Sequence, residues 1–278
     1  MTPHPTRVSS EWLALREPAD AAARALDLVE QLARRRPQSG RWAIHDLGCG
    51  TGAMGRWLAP LLSGPQHWIL HDRDRDLLDV AAVEVPARAA DGAEVSVEPQ
   101  QSDITVLDEH DLAGASLITA SALLDVLTED ELAGLIAVCA RASCPVLLTL
   151  SVVGRVELTP RDRLDRHVAA AFDAHQRRAT GRGRLLGPDA VGFAGEQFAQ
   201  RGCDAFVRPS PWRLGASQPE LAAEWFTGWV AAACEQQAEL AVETEAYLRR
   251  RLAQATAGRL AVTVDHADLL VLPGTSSG

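Results

Sequence analysis

The sequence predicts an α/β fold, a doubly wound and mostly parallel sheet of seven strands with helices ahead of the first strand and a helical insertion before the last. Two observations predict it. Short apolar runs of strand length alternate with stretches whose apolar residues recur at helical spacing, the pattern of a parallel sheet covered on both faces. The first apolar run then ends in Asp46-Leu47-Gly48-Cys49-Gly50-Thr51-Gly52. Three glycines at alternate positions let a strand turn tightly into a helix while the loop amides stay open to a ligand. With 278 residues and 47% hydrophobic content, the chain can bury one large core plus a modest cap.

Each element follows from its own residues. In residues 11–36, Leu13, Leu15, Leu26, Val29 and Leu32 are spaced for helix, and Pro18 interrupts them as the N1 residue of a second helix. Residues 41–47 are the first strand, and the glycine loop leads into a helix through Met54, Trp57, Leu58 and Leu61. A second strand, 66–71, ends at Asp72 and is followed by a helix carrying Leu77, Leu78, Val80 and Ala81. The third strand is 93–98, leading to Asp103; the fourth is 116–121, followed by a helix over 129–142; the fifth is 146–152. Beyond Gly154 helices are expected over 161–178 and, opened by Pro188, over 188–200. Strands at 205–208 and 260–264 bracket the insertion, 219–257, and residues 269–272 are either a last strand or a continuation beyond a bulge. Residues 275–278 read as a disordered tail. The organisation is a helical cap (1–40), a ligand-binding core (41–154) and a C-terminal half that completes the sheet and carries substrate-side helices (155–274).

Composition narrows the function. A formal net charge of −10 and a pI near 5.3 argue against nucleic acid or an anionic membrane as partner, because both are gripped by clustered positive charge. All 27 basic residues are Arg, and the chain has neither Lys nor Asn, which removes lysine Schiff-base and P-loop chemistry. The cysteines Cys49, Cys139, Cys144, Cys203 and Cys234 make no CxxC pair and no zinc-ligand spacing, so they read as free thiols in a reducing compartment. With neither a signal-peptide pattern nor a run of about 20 apolar residues, a cytoplasmic protein is expected.

The glycine loop poses the question of its ligand. Gly50-x-Gly52-x-x-Gly55 satisfies the pattern of dinucleotide enzymes, and Asp72, 26 positions after Asp46, stands where either a dinucleotide or another nucleotide-like cofactor needs an acid for its ribose. Asp46 separates the two. An acid directly before loop amides would repel a pyrophosphate, whereas a ligand with an ammonium and a sulfonium group is attracted to it.

The stretch from Asp46 to Gly52 resembles the first motif of class I S-adenosylmethionine-dependent methyltransferases, and the resemblance extends over residues 42–152. It implies the Rossmann-like methyltransferase fold and S-adenosylmethionine as cofactor. Asp46, Gly48, Cys49 (through its backbone), Gly50 and Gly52 would then hold the methionine end, and Asp72 with its neighbour Arg73 the ribose. Asp103 with Ile104 would recognise the adenine. The segment from Leu117 to Asp125, with Ser121 at its centre, would flank the transferred methyl. In the N-terminal helices Trp12 and Arg16 are candidates to close over the cofactor, with Arg16 near its carboxylate. Asp125 departs from the His or Asn of many relatives, and no Asn-Pro-Pro-Tyr-type signature follows the fourth strand, which disfavours methylation of DNA or of protein glutamine. The acceptor implied is a small molecule, methylated on O, N or C without a metal ion.

Several assignments have plain structural alternatives. His175 shares a face with Leu164, Val168, Ala171 and Phe172, as a general base or as a core histidine; Asp125 is a second candidate base or a capping carboxylate. Residues 155–184 hold eight Arg against four acids, either a solvated face or a grip on an anionic group. Leu221, Trp225 and Trp229 form a stripe read as core, as a homodimer contact through 219–257, or as a substrate lid. Two other functions stay open at this point, an NAD-dependent oxidoreductase using Gly50, Gly52 and Gly55, and a binding or regulatory protein that presents the Trp225–Trp229 helix.

Overall fold

The computed structural model describes residues 8–37 and 40–274, so the expected tail at 275–278 lies outside the described residues. Five strands run parallel: β1 (Trp42–Leu47), β2 (Gln66–Asp72), β3 (Val95–Gln101), β4 (Leu117–Ser121) and β5 (Val146–Thr159). With β8 (Asp204–Pro209) and β10 (Ala261–Leu272) they lie in the order β3-β2-β1-β4-β5-β10-β8, with β10 antiparallel to both neighbours. Strands β6 (Ala179–Thr180) and β7 (Gly183–Arg184) form a separate small hairpin. The chain order reverses at β1 and β4, the switch point where doubly wound sheets bind ligands.

The sheet has one strand more than the seven expected. Trp212, Arg213 and Leu214 form β9, which pairs with Val262–Val264 of β10. At three residues it is too short for an alternation signal, and its partner is nearly fifty residues away. Residues 269–272 are the continuation of β10 beyond its irregularities, which fall at Val264/His266 and Ala267/Leu269. β5 runs unbroken through Gly154, so the change of composition there marks no break in the sheet.

Pro18 does not open a helix. It sits inside α1 (Ser10–Ala23), whose N-terminus is capped by the Ser9 side chain accepting from the Trp12 amide at 3.2 Å. A proline costs α1 one internal hydrogen bond and a carbonyl clash, but the chain breaks only at Arg24 and Ala25. There the Ala25 amide donates to the buried Asp268 carboxylate at 2.8 Å, and α2 (Leu26–Ala33) begins. A tertiary partner, invisible in local sequence, sets the boundary.

One face of the sheet is covered by α2, α3 (Ala53–Leu58) and α4 (Arg75–Glu84), with Leu28, Leu32, Trp42, Trp68 and Leu78 at its centre. The other is covered by α5 (Glu129–Arg141) and α7 (Ala190–Ala199) around Ile118, Leu132, Ile136 and Phe198. A third cluster lies over the long ends of β5 and β10, where α6 (Asp165–Gln176), α8 (Pro219–Gln236) and α9 (Leu240–Thr256) bury Val168, Phe226, Trp229 and Tyr247. The insertion is therefore two helices, and most of its apolar stripe is intramolecular core: Leu221 and Trp229 are each 2% exposed and Phe226 is fully buried. Trp225 stays half-buried. Among the described residues no helix is long and apolar enough to cross a membrane.

Candidate active site

The glycine loop leaves the C-terminal end of β1 through three left-handed residues, Gly48, Gly50 and Gly52, with φ of 66°, 54° and 84°. The left-handed φ favours glycine at position 50, and a Cβ there would stand 3.2 Å from the δ-methyl of Leu13 on α1, close enough that this side chain would have to give by a few tenths of an ångström. That helix is tied down over the loop. Arg56 of α3 grips Glu17 of α1 through two hydrogen bonds of 2.7 and 2.5 Å and also donates to the Thr51 carbonyl at 2.5 Å. From β2, Asp72 reaches back to accept from the Gly50 amide at 2.9 Å, and its other oxygen accepts from the Asp74 amide at 2.9 Å.

Beneath the loop lie two opposite charges with open valences. Asp46 is 1% exposed; one oxygen accepts from the Thr119 hydroxyl at 2.8 Å, and the other, Oδ2, is buried with no hydrogen-bond partner. Burial pushes its carboxyl up to about 7, against the lowering effects of the Thr119 bond and of Arg24. Arg24 is 3% exposed, with its guanidinium carbon 5.0 Å from the centre of the Trp57 ring. Among the described residues its guanidinium makes one hydrogen bond, at 3.0 Å to the hydroxyl of Ser121, which also accepts from Thr149 at 3.1 Å; Nε and Nη1 are buried without partners. Burial lowers the Arg24 pKa, opposed by the carboxylates of Asp20, Asp268 and Asp46. Arg24 was not among the candidates read from the sequence. Its only local signal is a lone Arg in the apolar run Ala21-Ala22-Ala23-Arg24-Ala25.

The remaining candidates divide. Asp103 caps a short 3-10 turn opened by Ile104, accepting from the Thr105 amide at 3.0 Å and its hydroxyl at 2.7 Å, and those bonds lower its pKa. The exposed Arg73 offers its carbonyl to Gln101 at 3.0 Å. The Cys49 side chain is buried, and burial raises its thiol, which leaves it protonated and inert. Arg16 is already in an ion pair with Asp20 at 2.9 Å, with its guanidinium 4.9 Å from the centre of the Trp212 ring. Asp125 follows β4, its carboxyl raised by burial and lowered in part by Arg16. His175 lies elsewhere: its charged neighbours are Arg178 and Glu235, the latter at 3.9 Å, and burial lowers its pKa. The structure brings Asp46, Asp72, Ser121 and the glycines together and leaves His175 outside that group. Arg155, Arg177 and Arg182 of the Arg-rich stretch pair with Glu157, Asp189 and Glu131.

Behind the loop, His45 and His71 stack with centroids 5.2 Å apart, joined by a 3.0 Å contact between His45 Nδ1 and His71 Nε2, and His71 Nδ1 meets Ser102 at 3.0 Å. Burial drives both rings down to about 4, so they are neutral at pH 7. Among the described residues no group of three or more His, Cys, Asp or Glu side chains could hold a metal ion.

No family model matches the sequence, and no curated protein matches it. Solved structures match along nearly the whole chain. Loganic acid methyltransferase with SAH superposes at a TM-score of 0.52 with 10% identity, covering 94% of this chain and 94% of that one. A cyclopropane synthase from Mycobacterium tuberculosis follows at 0.49 and 15%, covering 95% and 94%. A SAM-dependent methyltransferase from Geobacter sulfurreducens, in complex with S-adenosyl-L-homocysteine, gives 0.44 and 14%, covering 95% and 98%. At these identities the first likeness shows the fold, the Rossmann-like methyltransferase fold.

Proposed function

We propose that the chain transfers a methyl group from S-adenosylmethionine to O, N or C of a small molecule. The observation that carries this reading is the pair of buried, incompletely partnered charges beside the glycine loop, Asp46 Oδ2 and Arg24 Nε and Nη1. Unmatched buried polar atoms are rare and costly. A zwitterionic amino-acid end, its ammonium toward Asp46 and its carboxylate toward Arg24, matches both at once. A dinucleotide does not, because its pyrophosphate would meet the Asp46 carboxylate.

The other candidates fit around that pair. Asp72 would hold ribose hydroxyls while bracing Gly50, and Asp103, Ile104 and Arg73 stand after β3 and β2 for the adenine side. Ser121 would orient Arg24 at the exit of β4. When bound, the cofactor supplies an electrophilic methyl group on sulfur that needs no further activation. The protein's work is then to align the nucleophile and exclude water, and the apolar lid from Leu13 over Gly50 serves the second task. Where the nucleophile carries a proton, Asp125 is the nearer base by chain position to Ser121, and His175, kept neutral by burial, is the alternative.

A thermal-shift measurement tests the reading. S-adenosylhomocysteine should raise the melting temperature and NADH should not. Stabilisation by NADH alone would assign the loop to a dinucleotide oxidoreductase. Unchanged turnover of an identified acceptor in the presence of a chelator is the corresponding expectation for metal independence.

A further inference from the structure

We propose that the acceptor is a small organic cation, an amine or quaternary ammonium group on an apolar body, bound in an aromatic cleft between α1, α6 and α8. The use of that ligand as methyl acceptor rests on the reading above; its binding does not. The cleft has a volume of about 240 Å³ and is lined by Trp12, Phe172, Glu224, Trp225, Gly228 and Trp229. The rings of Trp225 and Trp229 stack with centroids 5.4 Å apart and planes 19° apart, and Phe172 lies tilted against Trp229 at 6.4 Å and 55°. Nothing lies within 4 Å of where a Cβ on Gly228 would stand, which leaves that side of the cleft open.

Charge selects the ligand. Aromatic faces carry negative potential and attract cations, most strongly when tryptophans supply them. Among the described residues the one ionic side chain of the lining is the Glu224 carboxylate, and no arginine lines the cleft. Arg16, one turn beyond Trp12 on α1, is directed to Asp20 and Trp212 instead. An anionic acceptor would find no partner there, and a neutral one would leave Glu224 unused.

Position connects the cleft to the donor loop. Trp12 lines the cleft, and the next residue, Leu13, packs over Gly50. Consecutive side chains of one helix thus touch the two sites. The cationic group held among the rings is best seen as an anchor, with the nucleophilic atom elsewhere on the molecule, since a protonated or quaternary nitrogen has no lone pair to accept a methyl group.

Calorimetry on the full chain tests this with benzyltrimethylammonium as the probe, against phenylacetate and benzyl alcohol. Saturable binding of the ammonium alone is expected. Trp225→Leu, which keeps an apolar side chain at a half-buried site but removes the ring, should weaken it about three- to thirtyfold. Glu224→Gln should weaken it by a smaller factor while keeping the parent melting temperature, and both variants should stay folded and keep the parent S-adenosylhomocysteine affinity. Phenylacetate or benzyl alcohol binding as tightly as the ammonium, ammonium binding that survives both substitutions, or no probe binding at millimolar concentration would each overturn the assignment. If the ammonium binds as expected but S-adenosylhomocysteine does not, the cleft stands and the methyl-transfer reading falls.

Discussion

Two buried arginines separate the donor side of the molecule from the helices α6, α8 and α9 packed over the long ends of β5 and β10. Arg251 on α9 is 1% exposed and meets Asp165 of α6 at 2.5 Å, the Pro160 carbonyl at 2.6 Å and Gln254 at 3.0 Å. Tyr247 donates to the same Asp165 oxygen at 2.7 Å, so the Arg251 charge is matched by a carboxylate within the chain and only its Nε is left without a partner. Arg24 is buried as deeply but has a neutral hydroxyl as its polar contact and two bare nitrogens. A charge matched internally holds helices together. One left open at a switch point is fitted to something the chain does not contain.

The largest effect expected from this contrast is on stability. Arg251→Met removes one member of a buried pair and leaves Asp165 uncompensated, a loss of about 3–5 kcal/mol by urea unfolding. S-adenosylhomocysteine affinity should stay at the parent value under conditions where the variant is folded. A variant that keeps its stability and loses affinity would dissolve the contrast.

Arg24→Met should do the reverse at the donor site. Losing a charge-assisted contact worth about 1.5–3 kcal/mol weakens S-adenosylhomocysteine binding roughly ten- to hundredfold. The affinity of 5′-methylthioadenosine, which lacks the amino-acid end, should not change. Asp72→Ala sharpens the comparison, because a loss of the same order should appear with both ligands if Asp72 holds ribose. Equal loss of both ligands in the Arg24 variant would remove Arg24 from the carboxylate.

These residues were unequally legible. Asp46 to Gly52 is contiguous, and its chemistry is local, so spacing alone exposes it. Asp72 and Asp103 close strands whose order follows from alternation, and they too are readable. Arg24 and Ser121 are 97 residues apart and meet at the end of α1, where the next amide, that of Ala25, is held by Asp268 of β10. No local pattern encodes such a meeting, and Pro18, the strongest local breaker in that stretch, points to the wrong boundary. The stripe of Leu221, Trp225 and Trp229 is visible as periodicity, but which ring stays half-buried depends on Phe172 and Trp12 from distant elements. β9 is invisible for the same reason.

The smallest of the expected effects is the pH dependence of cofactor affinity. Without ligand, Asp46 holds its proton up to about 7 because burial outweighs its partners. An ammonium group beside it favours the carboxylate, so binding below that pH expels a proton. Affinity should therefore rise with pH and level off above about 7, lying about tenfold below its plateau one unit lower. Calorimetry in buffers of different ionisation enthalpy should count roughly half a proton released at pH 7. Stability of the free protein depends on other groups as well. His45 and His71 titrate near 4 when folded and near 6.5 in the unfolded chain, so the stability they confer is complete above 6.5 and is lost as pH falls towards 4. Asp46 acts in the opposite sense, since the folded chain holds its proton more tightly than the unfolded one and loses stability as pH rises from 3.8 to about 7. Asp46→Asn separates the two curves: the slope of affinity with pH should vanish, and the acid loss of stability set by the histidine pair should remain. An affinity slope that survives the substitution would assign the released proton to another group and leave the Asp46 carboxylate without its ligand.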